Sequence, residues 1–200
     1  VHYPAKALDV SNYQRRVDWR RVARDGFRFA AIKATEGTGF VDPYVARNVH
    51  GARKNGIAPV LYHFAHPSNS PRAEARHFLR TALPLVRVGE PCPALDLEVT
   101  EGKTPYQLWE WQHTFSLIVE EALGGHVILY TYRAFLESEL WLPRHHRPIW
   151  GADYGSVPAS VLSTWHAWQY TSSGSVSGVR GACDLNSILK PLPTIRRKRK

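Results

Sequence analysis

The sequence predicts an α/β fold in one domain, with a mostly parallel sheet and crossover helices. Two observations carry this. Short apolar segments alternate with longer amphipathic ones along most of the chain, and the helical pattern thins after about residue 141, where Gly, Pro and Ser become frequent. At 200 residues and 44% hydrophobic composition, the chain can bury a substantial core. Its apolar runs are too short for a transmembrane helix, and no basic start leads into an apolar core as a signal peptide would. The start at Val1 leaves room for a leader already removed.

The strand candidates are KALDV (6–10), FRFAAIKA (27–34), APVLYHFA (58–65), PALDLEV (93–99), HVILYT (126–131), RPIWGADY (147–154) and HAWQYT (166–171). Their number approaches that of a barrel, while the loss of helices towards the end argues against a complete eightfold repeat. Asp18 is placed to cap a helix over VDWRRVARDG that stops at Gly26, and a second runs over 44–55 to Gly56. Pro71 opens a third that reaches Leu83. The clearest is 105–123, with Thr104 as N-cap, Pro105 in the first turn and Gly124 as its stop.

Net charge is +9, and the last five residues, RRKRK, are all basic; taking those five away leaves +4 for residues 1–195. The bland expectation is a solvated, disordered tail over 191–200, following a folded unit over 1–190. The functional one is attraction of that tail to an anionic wall polymer, a membrane surface or nucleic acid. Cys92 and Cys183 match no zinc spacing and form no disulfide framework, so buried free thiols are the default.

The chemistry concentrates at strand ends. In β/α barrels the working side chains sit at the C-terminal ends of strands. Here those ends carry Asp9, then Lys33 and Glu36, then Tyr62, His63 and His66, then Asp96 and Glu98, with Tyr130, Trp150, Asp153, Trp168, Gln169, Tyr170 and Asp184 further on. Alternation in PALDLEV puts Asp96 and Glu98 on one face, about 6.6–6.8 Å apart along the strand. Two acids that close repel, and Lys33 is the evident strand cation that could compensate them. Asp18 and Asp42 read as caps, and His63 with His66 as satisfied polar residues, since no third ligand follows at a metal-binding spacing. No metal or cofactor is expected. Paired acids with aromatic walls suit glycosidic cleavage, which needs a proton donor and a negative group near an oxocarbenium-like centre. Repulsion and burial would keep one acid protonated.

These residues resemble the GH25 family of lysozymes, the Chalaropsis-type N-acetylmuramidases. The resemblance runs from about Ala7 to Leu189 through ALDVSNYQ, IKATEGTGFVDPY, YHFA, PALDLE, LYTY, WQYTSSGSVSGVRG and DLN. IWGADY at 149–154 fits the family's Trp–x–Ala–x–Tyr pattern through Trp150, Ala152 and Tyr154. The resemblance implies a modified, irregular TIM-like β/α barrel with fewer helices in the C-terminal third. It also implies cleavage of the β-1,4 bond between N-acetylmuramic acid and N-acetylglucosamine in peptidoglycan. Glu98 would be the proton donor and Asp96 would orient the 2-acetamido group as internal nucleophile; a direct carboxylate nucleophile or an inverting base stays open. Asp9 and Asp184 would complete the acidic set. Glu36, Tyr62, Tyr130, Trp150 and Trp168 would line subsites.

The expected partners are peptidoglycan glycan strands, with anionic wall polymers through the tail, and the chain is expected to be a monomer. A role on nucleic acid is disfavoured, because an acid-lined groove repels phosphates. A noncatalytic wall-binding barrel and another acetamido-sugar hydrolase remain as alternatives. The setting would be secreted or wall-acting, and a phage endolysin fits equally.

Overall fold

A computed structural model describes residues 2–140 and 147–199. Trp141, where the helical pattern was expected to thin, and Lys200 of the tail lie outside the described residues.

The strands are β1 (Ala5–Val10), β2 (Phe29–Glu36), β3 (Phe40–Val41), β4 (Ala58–Phe64), β5 (Ala94–Asp96), β6 (Ile128–Tyr132), β7 (Ile149–Ala152), β8 (Ala167–Gly174) and β9 (Cys183–Ile188). Their order is β1-β9-β8-β7-β6-β5-β4-β2-β3, and pairing of β1 with β2 closes a barrel of eight strands with β3 outside it. Within the barrel, neighbours among β1, β2 and β4 through β8 pair in parallel, whereas β9 runs antiparallel to both β8 and β1, and β3 runs antiparallel to β2. The helices are α1 (Trp19–Arg24), α2 (Val45–Lys54), α3 (Pro71–Ala82), α4 (Pro105–Leu123), α5 (Arg133–Ser138) and α6 (Ala159–Leu162).

Local chemistry fixes the helix ends. The Asp18 carboxylate accepts from the backbone N–H groups of Arg20 and Arg21. Thr104 and Gln107 form a reciprocal capping box at α4, and Gly124 ends that helix at φ 72°, where a side chain would be strained.

Strand alternation sorts the core into two layers. Inside the barrel lie Ala5, Ala7, Phe29, Ala31, Val60, Ala94, Ile128, Trp150, Ala167 and Ile188. Between sheet and helices lies the larger cluster, with Leu8, Ile32, Leu95 and Leu97 from the sheet side against Phe78, Leu108, Trp111 and Phe115 of the helices. Ala31 and Ala94 of the inner layer border the mouth, where their small side chains leave space for a site.

Four features depart from the sequence reading. The strand expected over 93–99 is only three residues long, so Glu98 lies in the loop that follows β5. A whole strand, β9, was absent from the strand candidates, as was the two-residue β3. A short helix, α6, occupies ground beyond residue 141 where the helical pattern was expected to thin, and the short α5 lies at 133–138, where no helix had been assigned. Finally, the chain does not leave the barrel at residue 190. Leu192 joins the inner core, Ile195 joins the outer one, and Thr194 bridges to Pro91. The N–H groups of Arg196 and Arg197 donate to the Leu123 carbonyl, so described residues of the basic segment finish the end of α4. Cys92 and Cys183 are buried free thiols.

Deleting residues 191–200 should therefore lower the unfolding free energy by about 3 kcal/mol, since two buried aliphatic side chains are lost. Urea denaturation measures this; an unchanged midpoint would return the segment to the status of a solvated tail.

Candidate active site

The mouth of the barrel gathers acids from three directions. Asp9 lies near the end of β1 and Asp96 ends β5. Asp184 is the second residue of β9; because β9 is antiparallel, it presents its beginning to the rim where the parallel strands present their ends. With Tyr62, Tyr130, Trp150 and Gln169, these acids and Glu98 line a narrow cavity floored by Ala31 and Ala94. Glu98, Tyr130 and Asp184 also border a wider groove, walled by Tyr132, Arg133, Asp153 and Tyr154. Glu98 thus stands where a narrow pocket opens into a groove.

A bonded frame holds these groups. Asp9 Oδ2 accepts from Gln169 Nε2 at 2.9 Å and from Asn186 Nδ2 at 3.0 Å. Gln169 Nε2 also approaches Asp184 Oδ2 at 3.4 Å, and its carbonyl oxygen accepts from the hydroxyls of Tyr130 and Tyr154 at 2.9 and 2.7 Å. Beneath them the Trp150 indole N–H donates to Asn186 Oδ1 at 2.8 Å.

Burial and crowding raise every carboxyl in the cavity. Burial first, then Asp184, pushes Asp9 from 3.8 up to about 7, against the lowering effect of the Asn186 and Gln169 hydrogen bonds. Burial and the adjacent Glu98 drive Asp96 well above the usual carboxylate range, with Lys33 pulling the other way. Burial also raises Glu98, opposed by hydrogen bonds from Tyr130 and Asp96, and Asp184 is raised by burial. Asp96 and Glu98 line the same cavity and each perturbs the other, so the two carboxyls titrate as a pair. Asp96 Oδ1 is buried and has no hydrogen-bond partner among the described residues.

Beside this cavity runs a charged rim. Glu36 takes Lys33 Nζ at 2.5 Å and His66 Nε2 at 3.1 Å, and the other His66 nitrogen meets Glu101 at 2.6 Å. Burial would raise Glu36, but Lys33 and His66 outweigh it and hold that carboxyl low. His63 is fully buried instead, bonded to Thr35 at 2.7 Å and Glu74 at 2.8 Å on the helix side of the sheet. Among the described residues, no three His, Cys, Asp or Glu side chains are grouped to hold a metal ion.

The structure therefore brings Asp9, Asp96, Glu98, Asp184, Tyr62, Tyr130 and Trp150 together around one cavity. Glu36 sits on the adjoining rim. Trp168 is not in the cavity: its neighbours Ala167 and Gln169 point inward, and its own ring packs on the outer core and donates to the Asp153 carbonyl at 2.8 Å. Asn186 and Tyr154 were not singled out as site residues, and Gln169 was named only as a strand-end residue. The signal for Gln169 was available, since alternation from Ala167 puts it on the inner face, and Asn186 stands two residues after Asp184 on the same face.

Comparison with known proteins agrees with this architecture. The model of the Glycosyl hydrolases family 25 matches residues 8–179. The chain is 35% identical over 190 residues to the uncharacterized protein YegX of Escherichia coli (strain K12), covering 92% of this chain and 69% of that protein. It is 32% identical over 184 residues to the autolytic lysozyme of Clostridium acetobutylicum, covering 92% of this chain and 55% of that protein. The bacterial lysozyme from Streptomyces coelicolor superimposes with a TM-score of 0.83 at 29% identity, over 94% of this chain and 93% of that one. With a match across most of its length and a barrel of the same shape, the chain belongs to glycosyl hydrolase family 25.

Proposed function

We propose that the protein is a lysozyme-type glycoside hydrolase that cuts the β-1,4 bond between N-acetylmuramic acid and N-acetylglucosamine in peptidoglycan. The observation that carries this is the Asp96–Glu98 pair, two carboxyls that line one cavity and are both raised by burial, with Glu98 at the junction of pocket and groove. Glu98, the more exposed of the two, gives its proton to the leaving glycosidic oxygen. Asp96, 8% exposed and with a free oxygen, takes the N–H of the substrate's 2-acetamido group. The acetamido oxygen then attacks the anomeric carbon as the C–O bond breaks, and the bond electrons leave with the protonated oxygen. Water, deprotonated by the Glu98 carboxylate, opens the resulting ring and restores Glu98–H. Asp9 and Asp184 oppose the positive charge that develops on the sugar.

Tyr62 and Tyr130 would meet sugar faces within the cavity, Trp150 would close its base, and Glu36 and Tyr154 would border the flanking subsites. A protein with this activity works on the cell wall. Arg196 and Arg197 remain exposed at the barrel's lower end, where they would add attraction to anionic wall polymers.

Digestion of purified peptidoglycan, followed by borohydride reduction and mass spectrometry, tests the reading. Reduced muramic acid should appear with the protein and fall by about 10³-fold or more with Glu98→Gln. Reduced glucosamine ends would show the other glycosidic bond to be the target, and binding without new ends would leave a wall-recognition protein. Run with Arg196→Gln/Arg197→Gln on intact walls, the same digest should slow only at low salt.

A pH series gives a second test. The reaction needs the pair's proton, so activity should fall as pH rises through the raised value of Glu98. Asp184 is one cause of that raised value. Asp184→Asn removes the like charge, so the alkaline limb should move to lower pH. An upward shift would contradict the electrostatic assignment.

A further inference from the structure

We propose that Asn186 is a positioning residue, an amide turned by the Trp150 indole so that it presents a fixed N–H donor to Asp9. The inference rests on the muramidase reading for its catalytic consequence, though its geometry stands without it.

The orientation follows from donor chemistry. An indole nitrogen donates and cannot accept. The atom of Asn186 that faces Trp150 Nε1 at 2.8 Å must therefore be the amide oxygen. That leaves the amide nitrogen against Asp9 Oδ2 at 3.0 Å, and the assignment has no flipped alternative. Trp150 and Asn186 are each 1% exposed, so neither amide edge is competed for by solvent. Asn186 lies under the floor of the site, too deep to reach substrate, and can act only through Asp9.

Asp9 needs such support. Facing it are Asp184 and Cys183 of β9, Asp96 and Glu98 of β5 and its following loop, Tyr62 of β4, Tyr130 of β6 and Tyr154 beyond β7. The cation of the neighbouring strand β2, Lys33, is committed to Glu36 at 2.5 Å. Neutral amides are the means by which this surrounding stabilises a carboxylate: Asn186 and Gln169 both donate to the same oxygen. Hydrogen bonds to the ionised form favour it, in opposition to burial and to Asp184. Without the Asn186 donor, Asp9 would hold its proton further up the pH scale, and the site would lose the negative charge facing the anomeric carbon.

The test is a carbon-detected NMR titration of the Asp9 carboxyl in the full chain, alongside pH profiles of kcat and KM. In Asn186→Leu the Asp9 midpoint should rise by about one pH unit. The acid limb of kcat should move up with it, and kcat should fall about tenfold with KM within about twofold. Trp150→Phe keeps an aromatic ring but frees the amide to turn, so it should give a smaller shift in the same direction. If Asn186→Leu does not fold, Trp150→Phe decides alone. An unmoved Asp9 midpoint in a folded variant overturns the proposal. A wild-type protein that releases no muramic acid ends would instead sink the muramidase reading, while the Asp9 titration still judges the positioning role.

Discussion

Four carboxyls confined to one partly dry cavity are the constraint around which the rest of the barrel is arranged. Each loses hydration on folding, and each feels the others through a medium of low polarity. The structure answers with few cations. Lys33 is the charged group that opposes Asp96, and Lys33 is itself committed to Glu36 at 2.5 Å. Most of the compensation comes from neutral donors, the amides of Gln169 and Asn186, and from leaving protons in place. A site built this way is destabilising as pH rises, because a folded-state value raised above the unfolded one means that stability is lost as the group ionises. That cost is the counterpart of having a proton available near neutrality.

The barrel supplies what this cluster requires. Alanines at the upper inner positions, Ala31 and Ala94, keep the mouth open, while Phe29, Ile128, Ile188 and Leu192 belong to the inner core below. Early termination of β5 releases Glu98 from the sheet, so it can reach the groove while Asp96 stays anchored. Reversal of β9 brings Asp184 beside Asp9 and Asn186 beneath it, through the register Leu8↔Leu185 and Ala7↔Asn186. A parallel final strand would have presented its other end to the mouth.

Much of this was legible from residues alone, and the gaps have physical causes. Strands whose two faces are both apolar announce themselves, and the rule that strand ends carry function found Asp9, Asp96 and Glu98. β9 went unread as a strand because its inward positions, Asp184 and Asn186, are polar for the sake of the site, which erases the apolar alternation. Trp168 attracted attention by its size, although alternation from Ala167 turns it outward and brings Gln169 in. Composition made 191–200 look like solvated tail, since five terminal charges mask Leu192 and Ile195, which are buried in the inner and outer cores. The resemblance to family 25 was carried by the order of short motifs, and the sheet explains why they work together: six leave parallel strands at the rim, while DLN enters there at the start of antiparallel β9.

The central claim is that Asp96 and Glu98 share a proton at neutral pH, held there by burial and mutual repulsion. Neutron diffraction from perdeuterated crystals near pH 7 would test it most directly. One deuteron on or between the two carboxyls is the expected result. Two fully ionised carboxylates in an otherwise intact cavity would contradict the account, because no group at the junction could then protonate the leaving oxygen.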